Sequence, residues 1–194
     1  MSAKGLYEKF VNNVRFHKLL IQYDHDLARA ARAQGCPCGG KLHAADYARK
    51  PRGAPAEVRP LYCTRLSLCC AADACRKRMT PASLRFLGRH VHVAVTMLLI
   101  SVMMGGGAAQ ASKLSRELGV SRRTLARWRD WWRTTFVATR FWQAAQAGFS
   151  PPVEAGLLPA SMFARFLGGP LRRLVKALRF LAPITGGARA VRVS

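Results

Sequence analysis

Two cysteine-rich half-sites, Cys36-Pro37-Cys38-Gly39-Gly40 and Cys69-Cys70-Ala71-Ala72-Asp73-Ala74-Cys75, stand about thirty residues apart in this chain. Structural zinc takes four soft ligands in a tetrahedron, usually as two close pairs from distant chain segments. Whatever this chain folds into must bring those pairs to one point. Strand-like runs lie between them, Leu61-Tyr62-Cys63 and Leu66-Ser67-Leu68. That is the layout of a zinc ribbon, with two knuckles held at the ends of short strands. A glycine after the second cysteine lets backbone N–H groups turn toward the thiolates, and Arg76, Lys77 and Arg78 offset their charge.

The expected ligands are Cys36, Cys38, Cys70 and Cys75. Choosing Cys70 leaves a four-residue loop to Cys75 and puts the ligand on one strand face with Leu66 and Leu68. Cys69 and His43 remain alternatives, and Cys63, outside both pairs, reads as a free thiol. The site reads as structural, because no activating Glu stands beside an open coordination position.

The compartment follows from the rest of the chain. The start, MSAKGLYEKF, has no apolar h-region, so no secretory signal is expected. The most apolar run, Val93 to Met104, is broken by Thr96 and Ser101 and falls short of the ~20 residues a membrane span needs. It reads as a buried core helix. A cytoplasmic protein is expected, with no membrane partner. There, six cysteines suggest metal or free thiols rather than disulfides.

The expected fold is mainly α with a small β zinc ribbon. An N-terminal helix is expected within 1–35, on Leu6, Phe10, Val14, Ile21 and Leu27, ending at Gly35. The ribbon-like module spans 36–80 and includes a Pro-rich basic loop from Arg49 to Pro60. In 81–148, a helix from Pro81 to Met104 is stopped by Gly105-Gly106-Gly107. It is followed by helices at 109–118 and 121–136, then a turn or two of helix at 138–147. Phe149-Ser150-Pro151-Pro152 is the candidate linker to the C-terminal segment, 149–194. That segment holds helices near 159–167 and 170–182 and a basic tail from Gly186. Leu171, Leu174, Val175, Leu178 and Leu181 form one stripe there and Arg172, Arg173, Lys176 and Arg179 another. Asp24-His25-Asp26 lies on a helix, where neighbours point different ways, so no metal site is expected there.

The stretch from Ser112 to Trp128 carries a helix-turn-helix pattern. Leu114 and Leu118 are one turn apart, Gly119 permits a left-handed turn, Val120 plugs the gap and Ser121 is a good N-cap. Leu125 and Trp128 recur at the spacing of a buried face, which Trp132 extends. What is left outward is Arg122, Arg123, Ala126, Arg127, Arg129 and Arg133. A solvated helix face would mix Glu with Lys, yet Asp130 is the one acid here. Arginines near the start of such a helix can pair with guanine edges or grip phosphate.

Net charge agrees with a polyanionic partner. The chain carries +23, and every part is basic: +3 over 1–35, +6 over 36–80, +8 over 81–150 and +6 over 151–194. Arg49, Lys50 and Arg52 in the Pro-rich loop, with Arg76, Lys77 and Arg78 after the last cysteine, are candidate phosphate contacts. Only nine carboxylates are present, few for a metal-dependent nuclease or strand-transfer centre, so no catalytic residue is expected.

The cysteine pairs resemble the small zinc ribbons that precede DNA-binding helices in bacterial transposases, with one residue, Pro37, between the first two cysteines where two are usual. The run Gly119-Val120-Ser121, followed by Arg122-Arg123, Thr124-Leu125 and Arg127-Trp128, resembles the helix-turn-helix of insertion-sequence transposases. That resemblance covers 112–133 and, with the ribbon, loosely 36–133. It implies Ser121, Arg122, Arg123 and Arg127 as contacts to terminal inverted repeats. No catalytic domain follows: beyond the motif's first helix the carboxylates are Asp130 and Glu154. The expectation is a non-enzymatic, zinc-stabilised DNA-binding protein of a bacterial mobile element. It would bind double-stranded DNA at the nucleoid, work with a separately encoded transposase or recombinase, and could form a homodimer. An RNA-binding component of an RNA–protein machine and a host transcription regulator are the alternatives.

Overall fold

The computed structural model describes residues 1–87, 90, 92–104 and 108–186. Among these are eight α-helices and five strands of two or three residues, a mainly α architecture with a small antiparallel β region. The chain divides into two compact units interleaved in sequence. One comprises Met1–Lys9 and Val95–Ala177, the other Phe10–Ala94 and Leu178–Ser194. Residues 36–80 lie wholly in the second, and the 149–152 break lies inside the first.

The cysteine-bearing unit is built around α2 (Val14–Ala33), whose buried Phe16, Leu20 and Asp24 recur every four residues. The expected continuous N-terminal helix is broken instead into α1 (Ala3–Phe10) and α2. The reason is local. Asn13 takes an extended backbone, and its side-chain oxygen accepts the Phe16 N–H at 2.9 Å, capping a new helix. Beyond α2, β1 (Leu42–Ala44), β4 (Leu68–Cys70) and β5 (Arg78–Met79) form one antiparallel sheet in the order β1-β4-β5. Leu42 stands opposite Cys70 and His43 opposite Cys69. A second ladder pairs β2 (Tyr47–Ala48) with β3 (Thr64–Arg65). Leu61-Tyr62-Cys63 is not a strand: residues Arg59–Tyr62 form a 3-10 turn with Pro60 near its start, where a missing N–H costs nothing.

The described residues between Pro81 and Val93 do not form the expected helix; α3 begins only at Ala94 and runs to Met103. Tertiary hydrogen bonds claim the backbone that a helix would need. Asp24, fully buried, accepts from Ser83 Oγ at 2.6 Å, Leu84 N at 2.7 Å and Arg85 Nε at 2.8 Å. Thr185 Oγ1 accepts from Ser83 N at 2.7 Å, and Arg65 donates to the Pro81 carbonyl. Phe86 and Val93 pair as a β-bridge. The expected stop at Gly105-Gly106-Gly107 and the tail from 187 on lie outside the described residues.

In the helical unit, α3 is apolar all round, and Met97, Leu98, Leu99 and Ile100 are fully buried. Helix α4 (Ala108–Leu118) leads through Gly119, at φ +64°, into α5 (Arg122–Asp130). The expected helix to Phe136 changes pitch at Trp131, and Trp131–Phe136 is a π-helical turn. Thr134 Oγ1 donates to the Asp130 carbonyl at 2.7 Å, drawing on an acceptor of the regular ladder. This turn stacks Trp132 on Phe136 at 4.8 Å, and Phe136 lies 5.0 Å from Trp142 of α6 (Arg140–Ala145). The expected helix at 159–167 shortens to α7 (Ala160–Ala164). Helix α8 (Pro170–Leu181) belongs to this unit through Ala177 and to the other from Leu178; Leu174, Val175, Leu178 and Leu181 are buried, whereas Leu171, in the exposed first turn, is not.

Candidate metal centre and arginine-bearing helix

The loop after α2 and the strand β4 with the turn that follows it bring the Sγ atoms of Cys36, Cys38, Cys70 and Cys75 within 4.8 Å of one another. Cys36 and Cys75 sulfurs are 3.7 Å apart and those of Cys38 and Cys70 3.5 Å. These separations are too long for disulfides. They approach the edge of about 3.8 Å in a tetrahedron with metal–sulfur bonds of about 2.3 Å.

Each sulfur is placed by its local chain. In the first knuckle Cys36 N donates to the Gly40 carbonyl at 3.1 Å, and Gly39 N to the Cys36 carbonyl at 2.8 Å, with Gly39 at φ +83°. A Cβ on Gly40 would sit 2.5 Å from the Cys70 sulfur, so only glycine fits. In the second, Cys75 N donates to the Ala72 carbonyl at 2.9 Å and Arg76 takes a left-handed φ of 43°. Cys36, Leu42, Leu68 and Cys70 are buried together with Ala31 in a small apolar cluster.

The sulfurs also feel backbone N–H groups. The Gly40 N–H, helped by neighbouring thiols, draws the Cys38 thiol down to about 7. At Cys70 the Ala72 N–H pulls the same way but is outweighed by burial and the thiols of Cys38, Cys36 and Cys75, so the pKa is pushed up to about 12. Cys75 is also raised: the Lys77 N–H opposes the rise, and the thiols of Cys38 and Cys36 cause it. Four sulfurs this close cannot all be anionic without a cation among them. An all-thiolate donor set on two hydrogen-bonded knuckles fits a soft divalent ion.

The alternatives fall away by strand periodicity. Cys69 and His43 face each other across β1 and β4, on the face opposite Cys70. Cys69 Sγ donates instead to the Arg76 carbonyl at 3.5 Å. Cys63 is exposed and donates to the Arg59 carbonyl at 3.4 Å.

On α5, Ser121 is the N-cap, its Oγ accepting the Thr124 N–H at 3.2 Å. Leu125 and Trp128 are buried with Leu114 of α4. Arg122, Arg123, Arg127 and Arg133 are exposed, and among the described residues none forms an ion pair. Arg129 does, lying 3.9 Å from Asp130.

The flanking basic residues differ in availability. Lys50, Arg52 and Lys77 are exposed. Arg49 is part-buried, donating to the His90 carbonyl at 2.9 Å with its guanidinium 5.2 Å from the Phe86 ring centroid. Arg78 donates to the Ala45 carbonyl at 3.1 Å, and Arg76 lies 3.7 Å from Asp73. In α8, Arg173 stacks on Phe163 and Arg179 on Tyr23.

The sequence reading missed the buried Asp24–Arg85 pair, which only a segment sixty residues downstream reveals, and the steric demand at Gly40. Among the described residues no helix is long and apolar enough to cross a membrane. No family model, curated protein or solved structure matches the chain.

Proposed function

We propose that this chain is a non-enzymatic, sequence-selective DNA-binding protein of a bacterial mobile element, with a structural zinc ion held by Cys36, Cys38, Cys70 and Cys75. The observation that carries the reading is the outer surface of α5. A capped helix behind a glycine turn is fixed from beneath by Leu125 and Trp128 and presents Arg122, Arg123 and Arg127, with Arg133 on the π-helical turn that follows, without acidic partners. Such a helix enters a major groove by its N-terminal end. Arg122, Arg123 and Arg127 then reach base edges or phosphates, and Lys50, Arg52 and Lys77 add contacts that carry no sequence information. The zinc ion supplies folding energy and no chemistry at substrate. The protein acts in the cytoplasm at the nucleoid, at element ends or regulatory sites, beside a separately encoded transposase or recombinase.

Titration of the full chain against candidate element ends and a scrambled duplex tests this. Arg123→Ala should lower discrimination by about tenfold or more, whereas Lys77→Ala should weaken both duplexes about equally. Equal losses at both duplexes from both variants would overturn sequence reading by α5. Preferential competition by duplex RNA would move the protein to an RNA partner.

A further inference from the structure

Among the described residues of the helical unit, four buried side-chain polar atoms lack a hydrogen-bond partner: Arg165 Nε, Arg173 Nε, Ser101 Oγ of α3 and Trp132 Nε1 of the π-helical turn; the last two belong to residues that line one hollow. Their side chains are 4% and 0% exposed. A buried donor left unpaired is costly, and such groups are rare in folded proteins. Both line the same surface-opening hollow, walled by Met104, Leu158 and Pro159, with Arg129 and Arg133 also lining it.

The π-helical turn is the second observation. Such turns are uncommon and interrupt the regular ladder, and they recur where side chains are re-aimed for function. Here the turn carries both Trp132 and Arg133.

The chemistry of the lining selects the ligand. Indole N–H and guanidinium only donate, and the serine hydroxyl is free to donate. No Asp or Glu lines the hollow. The side chains that carry hydrogen-bonding groups here are mostly donors, and two arginines without a lining carboxylate favour an anion. The cavity measures about 20 Å³, which is room for about one oxygen-sized atom. The ligand therefore enters by its tip. A tetrahedral phosphoryl group does this well: one oxygen goes inward and the others remain at the opening for two guanidinium groups. Asp130, 3.9 Å from Arg129, is the carboxylate with which the anion competes.

The geometry points to a phosphate-binding site formed by Ser101, Trp132, Arg129 and Arg133. Its ligand is a phosphoryl group, from either a free phosphoester or a nucleic-acid backbone. The site shares Arg133 with the surface proposed to face DNA, but it is read at Trp132 and base discrimination at Arg123, so the two fail separately.

The test uses the indole N–H resonances of the full chain, one for each of its four tryptophans, with Trp132 assigned by its loss in Trp132→Phe. Inorganic phosphate should move the Trp132 resonance saturably, and chloride at equal ionic strength should not. Arg133→Gln, at an exposed position, should weaken phosphate about tenfold, as should Ser101→Ala, and a Ser101→Ala variant that binds phosphate like the parent removes Ser101 from the site. A Trp132 resonance that ignores phosphate, or follows chloride equally, overturns the site. A short duplex then identifies the source. If the duplex moves the same resonance and phosphate competes, the ligand is the backbone; if phosphate alone moves it, the ligand is a small phosphoester. Both results uphold the site, while the Arg123→Ala discrimination experiment judges the DNA reading on its own.

Discussion

The two units reach stability by different means. The helical unit is held by aromatic and aliphatic packing: α3 is apolar on every side, and Trp132, Phe136 and Trp142 are fully or almost fully buried. The cysteine-bearing unit also buries Phe10, Phe16, Leu20, Tyr62 and Phe86, but around its cysteines the strands are two or three residues long and the apolar cluster is small. It adds polar interior contacts: four convergent sulfurs, the Asp24–Arg85 pair and the His17–Tyr62 hydrogen bond at 2.6 Å. Short strands bury too little surface to stabilise themselves, so directional bonds do more there. Directional bonds fail all at once when one partner goes, whereas packing degrades by degrees.

That contrast can be broken most forcefully at the four sulfurs and the zinc ion proposed for them. Structural zinc in small domains supplies about 10–16 kcal/mol of apparent binding energy at neutral pH. Chelation, or Gly40→Ala, should abolish hydrogen-exchange protection across 36–80. All four tryptophans lie in the helical unit, so their emission should hold steady; a red shift in step with the loss would erase the distinction. Next in size is Asp24→Ala. Leaving Arg85 buried and unpaired should cost about 3–5 kcal/mol, measured by urea unfolding, while Asp26→Ala, at an exposed i,i+3 pair, should cost under about 1 kcal/mol.

Acidity sharpens the comparison further. His17 Nε2 donates to the Val11 carbonyl at 2.8 Å, so Nδ1 accepts from Tyr62. Burial lowers the His17 pKa, against the pull of the Val11 and Phe10 carbonyls. The unfolded chain therefore takes the proton first, and stability falls as pH drops below about 6.5. Unfolding at pH 7.5 and 5.5 should show a smaller difference in His17→Gln than in the parent. The mildest change expected is in the helical unit: Ser121→Ala removes one cap and should cost about 1 kcal/mol, read as a small fall in thermal midpoint.

What sequence could reveal followed the range of the signal. The four sulfurs were legible because two short spacings and strand alternation specify them, and alternation alone separates Cys70 from Cys69. Gly119 and Ser121 were legible because a left-handed turn and an N-cap are local demands. The break before Asn13 was written in that residue's capping side chain but was masked by a long helical apolar period. The non-helical path at Ser83–Arg85 could not be read locally, since Asp24 holds it from another part of the chain. The π-helical turn leaves no periodic signature, and the hollow beside it depends on α3 and the 156–160 loop coming together.

Interleaving has a consequence for biosynthesis. Ser83 N meets Thr185 Oγ1 across 102 residues, and Lys4 lies 3.8 Å from Glu117 within the helical unit. A nascent chain on the ribosome thus holds pieces of both units before either is complete. The cysteine knuckles can gather an ion early, but the Ser83 amide waits unpaired until the segment through Thr185 has emerged. A stop codon before Leu178 would remove that late strap, leaving a product exposed to quality-control proteases although every sulfur and every α5 arginine had already been made.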